Sequence, residues 1–249
     1  DFVIQSQQAA RLRNKVWKHG GNSEEALQKV FKTKTVRQLH QLQRELVGGT
    51  KLSVYTTAFP SLKKLTLPFT LFISTDVIDN NFSNYMNWDQ IRELVDNGVL
   101  VGSQTKSHPH LHRLSSKQIL NEIEYSNKRF IKELGFKPKL FAYPYGEYDN
   151  KTIEIVKGSG FEAAFGQHSG VAHISSGIFE LPRFAMNENY GYLQRLKLAI
   201  NALPIIIKDV SPEDNFLRTN PPDFGFTLSP EIKPMRAVRC FASSGIATD

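Results

Sequence analysis

The feature that most constrains this chain is the alternation of two hydrophobic periods through its middle. Phe69-Thr-Leu-Phe-Ile-Ser74 is a short, continuous apolar run rich in β-formers, the signature of a strand buried on both faces. A helix is expected from Trp88 to Asn97, capped by Asn87 and stopped by Gly98, with Trp88, Ile91, Leu94 and Val95 facing inward. The strand Leu100–Gly102 follows, then a long helix to Leu134 that opens on a Ser115/Gln118 capping box. Its expected core face is Ile119, Leu120, Ile123, Phe130, Ile131 and Leu134. The strand Lys139–Tyr143, a helix from about Asn150 to Lys157, the strand Ala163–Phe165 and a helix over roughly Leu193–Asn201 complete the series. Strand–helix alternation of this kind predicts an α/β fold with a parallel sheet or barrel. In such folds the functional loops gather at the C-terminal ends of the strands.

The flanks read differently. Residues 5–47 contain no proline and carry leucines at helical spacing, divided by Gly20-Gly21 and ended by Gly48-Gly49. Residues 1–47 hold nine Lys or Arg against four Asp or Glu, so they supply +5 of the chain's net +7. Such a basic arm is either a solvated helix surface or a contact for nucleic acid, an anionic membrane or an acidic glycan. Past Leu203, six of the twelve prolines fall within residues 204–249, which marks a change of architecture. Phe224–Leu228 and Arg236–Phe241 are expected to be strands of a small β appendage. The chain is therefore divided into a helical segment 1–47, an α/β barrel 48–203 and a Pro-rich β extension 204–249. No run of about 18 apolar residues exists, which argues against a membrane-spanning helix. The first residues lack the basic-then-apolar order of a signal peptide. The single cysteine, Cys240, excludes an internal disulfide framework and a cysteine-based zinc site.

Four polar loops fall at strand ends. The first, Gly102-Ser-Gln-Thr-Lys-Ser-His-Pro-His-Leu-His112, packs three histidines into five residues. The others are Tyr143-Pro-Tyr-Gly146, Gly166-Gln-His-Ser-Gly170 and Pro182-Arg183. His108 and His112 are four apart and could share a metal, but Pro109 prevents a regular helix between them. Otherwise His110 and His112 are loop residues bonded to backbone. Tyr143, Tyr145 and Trp88 could stack on sugar rings, although Trp88 on an apolar helix face reads first as core.

With those pieces placed, residues from about Ser53 to Leu228 resemble the polysaccharide deacetylase family, the nodulation-protein-B homology domain of carbohydrate esterase family four. The matching stretches are Ala58-Phe-Pro-Ser-Leu-Lys-Lys64, Pro68-Phe-Thr-Leu-Phe-Ile-Ser-Thr-Asp76 and Tyr85-Met-Asn-Trp-Asp-Gln-Ile-Arg-Glu-Leu94. Ser107-His-Pro-His-Leu111, Phe141-Ala-Tyr-Pro-Tyr-Gly146 and Leu181-Pro-Arg183 complete the set. The resemblance implies a distorted (β/α) barrel and metal-dependent hydrolysis of N-acetyl groups on a sugar polymer of the chitooligosaccharide or poly-N-acetylglucosamine type. The implied cofactor is a divalent metal, zinc above all, held by one Asp and two His beside a second Asp that serves as base. His108 and Gln104 occupy the two histidine positions, and His112 is an additional candidate ligand. The resemblance also implies that the Tyr145 N–H helps to hold the oxyanion and that Arg183 orients a catalytic group; otherwise Arg183 is a rim cation facing sugar or solvent. His168 is either the general acid for the leaving amine or a loop histidine near the rim. Tyr143, Pro144 and Tyr145 would line the substrate groove. The implied partner is an acetylated polysaccharide or oligosaccharide rather than nucleic acid, and the implied setting is bacterial, cytoplasmic or cell-envelope associated.

Two departures qualify the enzyme reading. The Asp-Asp pair falls on Gly48-Gly49, and one metal histidine is replaced by Gln104, a neutral and poor ligand for zinc. A catalytically inactive relative that binds a glycan or a partner through the same groove is the alternative.

Overall fold

The computed structural model describes residues 2–3, 50–173, 176–184, 192–217 and 222–229. Its main sheet has five strands: β1 (Phe2–Val3), β2 (Thr70–Ile73), β3 (Leu100–Ser103), β4 (Leu140–Ala142) and β5 (Ala163–Phe165). They are ordered β1-β2-β3-β4-β5. β1 lies antiparallel on β2, and β2 to β5 are parallel. A doubly wound sheet reverses its strand order at a switch point, whereas this order never reverses, as in the winding of a barrel. Phe165 also bridges Leu181 in the parallel sense and carries the arc one step beyond β5. The α/β architecture is thus the one expected, an arc of barrel type among the described residues. The basic helices expected before Gly48 lie outside those residues.

All four residues of β2 are buried, as a run apolar on both faces requires. Gly102 on β3 is there for space. A Cβ at this position would stand 2.4 Å from the Phe72 ring on the neighbouring strand.

The helices follow their caps. A wide π-type turn over Val54–Ala58 leads into α1 (Phe59–Lys64), which buries Phe59 and Leu62. α2 (Asp76–Asp79) is a single turn directly after β2. α3 (Trp88–Asp96) starts at a capping box in which Gln90 N–H donates to Asn87 Oδ1 at 2.9 Å and Asn87 N–H donates to Gln90 Oε1 at 2.9 Å. Trp88 is core: its ring meets Phe130 edge-on at 6.0 Å and its Nε1–H donates to Asp79 at 2.8 Å.

α4 (Ser116–Leu134) opens on the expected Ser115/Gln118 box and buries Ile119, Ile123, Ser126, Asn127 and Phe130. Its core stripe is narrower than expected. Leu120 is 39% exposed and Ile131 53%, because each lies about 100° around the helix from its buried neighbour. The small Ser126 lets the helix approach the sheet, where its Oγ lies 3.0 Å from Ser103 Oγ.

A second apolar cluster lies under β4 and α5 (Asn150–Gly158) and includes Phe141, Tyr143, Tyr148 and Phe161. α6 (Leu193–Asn201) follows later in the chain. In the extension, β6 (Ile207–Ser211) pairs antiparallel with β7 (Gly225–Leu228). The strand expected over Phe224–Leu228 is therefore present, but its partner is Ile207–Ser211. Arg236–Phe241 lies outside the described residues. Among the described residues no helix is long and apolar enough to cross a membrane.

Two outcomes follow from the packing. Phe130→Ala should lower unfolding free energy by about 3–5 kcal/mol, and Ile131→Ala by about 0.5 kcal/mol or less, both read by urea denaturation. The Tyr143 phenol is fully buried, and burial raises its pKa above the ordinary tyrosine value. Its contribution to stability is therefore complete below about pH 10, where the unfolded phenol ionises, and is lost as pH rises beyond that. Unfolding curves between neutral pH and about pH 11 should show a steeper alkaline loss for the parent chain than for Tyr143→Phe. Equal slopes would contradict this account.

Candidate active site

The loops after β3 and β4 meet because those strands are adjacent and parallel, with Ser103 opposite Phe141. The His loop is fixed at its base by backbone bonds to the end of β2. Gln104 N–H donates to the Ile73 carbonyl at 2.8 Å, and Ser74 Oγ donates to the Gln104 carbonyl at 2.9 Å. Asp76 N–H donates to the Lys106 carbonyl at 3.0 Å. From the other side, Glu122 of α4 accepts from Ser107 N–H at 2.8 Å and from Ser107 Oγ at 2.9 Å. Thr105 and His108 both have positive φ, 68° and 59°, and the His108 N–H donates to Thr105 Oγ1 at 3.1 Å. Non-glycine residues rarely adopt such angles, and they concentrate where a loop is held in a required shape.

The Tyr143-Pro-Tyr-Gly146 loop is bent in the same way, with Tyr145 at φ 58°. Gly146 is required here, because a Cβ would sit 2.2 Å from the Cβ of Gln167. The close approach brings the loop after β4 against the loop after β5.

The three histidines separate into two environments. His108 is partly buried and meets the Tyr145 ring edge-on at 4.6 Å. Burial first, and then the positive charge of Arg183, pulls its pKa below the ordinary imidazole value, which favours the neutral ring. His110 stacks flat on Tyr145, with ring centres 4.0 Å apart at 9°, and its Nδ1 lies 2.6 Å from Glu147 Oε2. His112 lies against Phe216, with ring centres 4.1 Å apart. Its Nδ1 approaches the same Glu147 oxygen at 3.2 Å but off hydrogen-bonding geometry, so that buried nitrogen makes no hydrogen bond. His110, His112 and Glu147 form the group of three His, Cys, Asp or Glu donors found among the described residues.

This arrangement corrects several sequence expectations. His112 pairs with His110 and Glu147, not with His108, because Pro109 and the short 3-10 turn Leu111–Arg113 break any helical register. His110 is bonded to a carboxylate instead of to backbone. Tyr143 is fully buried and its hydroxyl donates to the Phe179 carbonyl at 3.0 Å, so its ring cannot stack on a sugar. Pro144 is buried as well, which leaves Tyr145, 48% exposed, as the aromatic surface of this loop. Arg183 is no rim cation: it is 5% exposed, its Nε donates to the Gly166 carbonyl at 2.6 Å, and burial lowers its pKa to about 10. His168 is exposed, 6.3 Å from Tyr148 between ring centres, and its carbonyl accepts from Arg183 N–H at 3.1 Å. Gln104 is buried at the foot of the His loop. Gly48-Gly49 lies outside the described residues. Glu147 escaped the sequence reading. Its signal was its place, one residue beyond a Tyr-Pro-Tyr-Gly turn at the end of a strand.

The residues at the implied ligand positions do not make a metal centre among the described residues. His108 belongs to no group of three such donors there, and Gln104 offers no charge.

The comparisons with known proteins agree with the fold. The polysaccharide deacetylase family model matches residues 49–164. A poly-beta-1,6-N-acetyl-D-glucosamine N-deacetylase of Staphylococcus aureus is 25% identical over 152 residues, covering 55% of this chain and 51% of that protein. The chain thus spans about half the length of the curated relatives it matches, 46% and 51% for two of them. The structure of IcaB from Ammonifex degensii superposes with a TM-score of 0.55 at 25% identity, over 61% of this chain and 70% of that one. The Streptococcus pyogenes deacetylase PplD in complex with acetate shares the fold, with a TM-score of 0.58 at 18% identity, over 80% of this chain and 88% of that one. Over residues 49–164, just under half of its length, this chain is similar to the polysaccharide deacetylase family.

Proposed function

We propose that this chain is a polysaccharide deacetylase that removes N-acetyl groups from a glucosamine polymer, of the poly-N-acetylglucosamine or chitooligosaccharide type. One observation carries the reading. The segment that matches the family also brings its His loop and its Tyr-Pro-Tyr-Gly loop into ring contact through His108, His110 and Tyr145. The named function of the Staphylococcus aureus relative supplies the substrate class.

In this reading Tyr145 does two things. Its partly exposed ring gives the sugar an apolar face, and its backbone N–H is the donor that would stabilise charge on the acetyl oxygen. His168, exposed beside Tyr148, would deliver a proton to the departing amine. Arg183 is a positioning residue. Fixed on the Gly166 carbonyl, it places positive charge near His108 and sets the loop that carries His168. The family's chemistry uses a divalent metal, and zinc is the ion we expect.

A second reading is favoured by Gln104. With a neutral side chain at one ligand position, the groove could hold an acetylated glycan without cutting it. Purified chain supplied with Zn²⁺ or Co²⁺ should release acetate from partly acetylated poly-β-1,6-glucosamine or chitooligosaccharides. His168→Gln should lower that rate by about 10²-fold or more, the usual worth of a general acid. Glycan binding with no acetate release would reject the deacetylase and leave the binding protein. Neither binding nor release would reject both.

A further inference from the structure

We propose that His110, His112 and Glu147 form a divalent metal site of this chain, distinct from the positions of His108 and Gln104 where the family resemblance puts the ligands. The inference stands on this chain's own donors and does not depend on whether an acetyl group is hydrolysed.

The donor set is the first argument. Two imidazoles and one carboxylate suit Zn²⁺, Co²⁺, Ni²⁺ and Cu²⁺ and are a poor match for Mg²⁺ or Ca²⁺, which take oxygen. Three protein ligands leave a fourth position for water or another ligand.

Geometry is the second. Zinc–nitrogen and zinc–oxygen bonds of about 2.0–2.2 Å place tetrahedral donors about 3.4 Å apart. The Nδ1 atoms of His110 and His112 stand 2.6 and 3.2 Å from Glu147 Oε2, and all three donors lie within 4.8 Å of one another. The cluster is therefore already contracted around one point. Accepting an ion requires the Glu147 carboxylate to draw back from His110 by under about 1 Å and the two imidazole donors, within 4.8 Å of each other, to settle at about 3.4 Å. Its side chain is 35% exposed and has room to do so.

The third argument is the unequal satisfaction of the two rings. One carboxylate oxygen faces two Nδ1 atoms but takes a hydrogen bond from His110 alone, leaving buried His112 Nδ1 without one. An ion between them would satisfy all three donors at once. Binding through Nδ1 puts the ring proton of each imidazole on Nε2. Arg113 Nε, now 3.4 Å from His112 Nε2, would then turn away, and that weak surface contact is easily given up.

The rings are also held in place. His110 is stacked on Tyr145 and His112 rests against Phe216, so little ordering remains to be done when an ion arrives. Phe216 belongs to the extension just after β6, which therefore closes one side of the cluster.

Titration of the full chain, freed of metal by chelator, with Zn²⁺ in a calorimeter tests the site, and Co²⁺ gives an independent visible absorption band. One equivalent should bind. His112→Phe and Glu147→Gln should each weaken binding by at least about 100-fold, the upper end of what even an outer partner of a ligand contributes. His108→Phe should change it by less than about threefold. Circular dichroism of each metal-free variant checks the fold, and if His112→Phe does not fold, Glu147→Gln alone decides. Loss of binding in His108→Phe with retention in Glu147→Gln would overturn the proposal, as would no binding by the parent chain. Acetate release is read separately, so either proposal can fail without the other.

Discussion

The site depends on one constraint of the backbone: β3 and β4 are adjacent, parallel and in register, with Ser103 opposite Phe141. Parallel neighbours end at the same edge, so the loops that follow them must emerge side by side. The His loop and the Tyr-Pro-Tyr-Gly loop are far apart in sequence and touch because of this pairing. His110 then meets Tyr145 face to face and Glu147 through its carboxylate. Without the register, three histidines and a glutamate would be scattered polar residues.

The contact between these loops joins two kinds of interaction. Stacking of His110 on Tyr145 fixes the orientation of the ring, and the Nδ1 contact to Glu147 fixes its rotation. Both loops accept unfavourable backbone angles to reach this arrangement, at Thr105, His108 and Tyr145. Such angles persist where the surroundings over-determine them. Here the surroundings are Glu122, which holds Ser107 by two bonds, and the close approach of Gly146 to Gln167.

Much of the fold could be read from the residues because local signals agreed with tertiary ones. The capping boxes at Asn87 and Ser115, the buried run of β2 and the breaks at Gly98 and Gly135 are each set within a few residues. The misses have long-range causes. Leu120 and Ile131 look like core by periodicity, yet the stripe that meets the sheet is narrow, and Ser126 occupies part of it. β7 was legible as a strand, but its partner β6 carries Lys208 and Asp209 and reads as a mixed surface segment. At the site, the loops were legible and the pairing of side chains was not. His108 stood out by family position, whereas Glu147 gains its meaning only across the gap between two loops.

The central claim is that this chain holds a metal at His110, His112 and Glu147, and not at the positions of His108 and Gln104 that the family pattern implies. Anomalous diffraction from crystals of the full chain soaked in Zn²⁺ tests it most directly. The account predicts one peak about 2.0–2.2 Å from His110 Nδ1, His112 Nδ1 and Glu147 Oε2. A peak bonded to His108, with none between His110, His112 and Glu147, would contradict it.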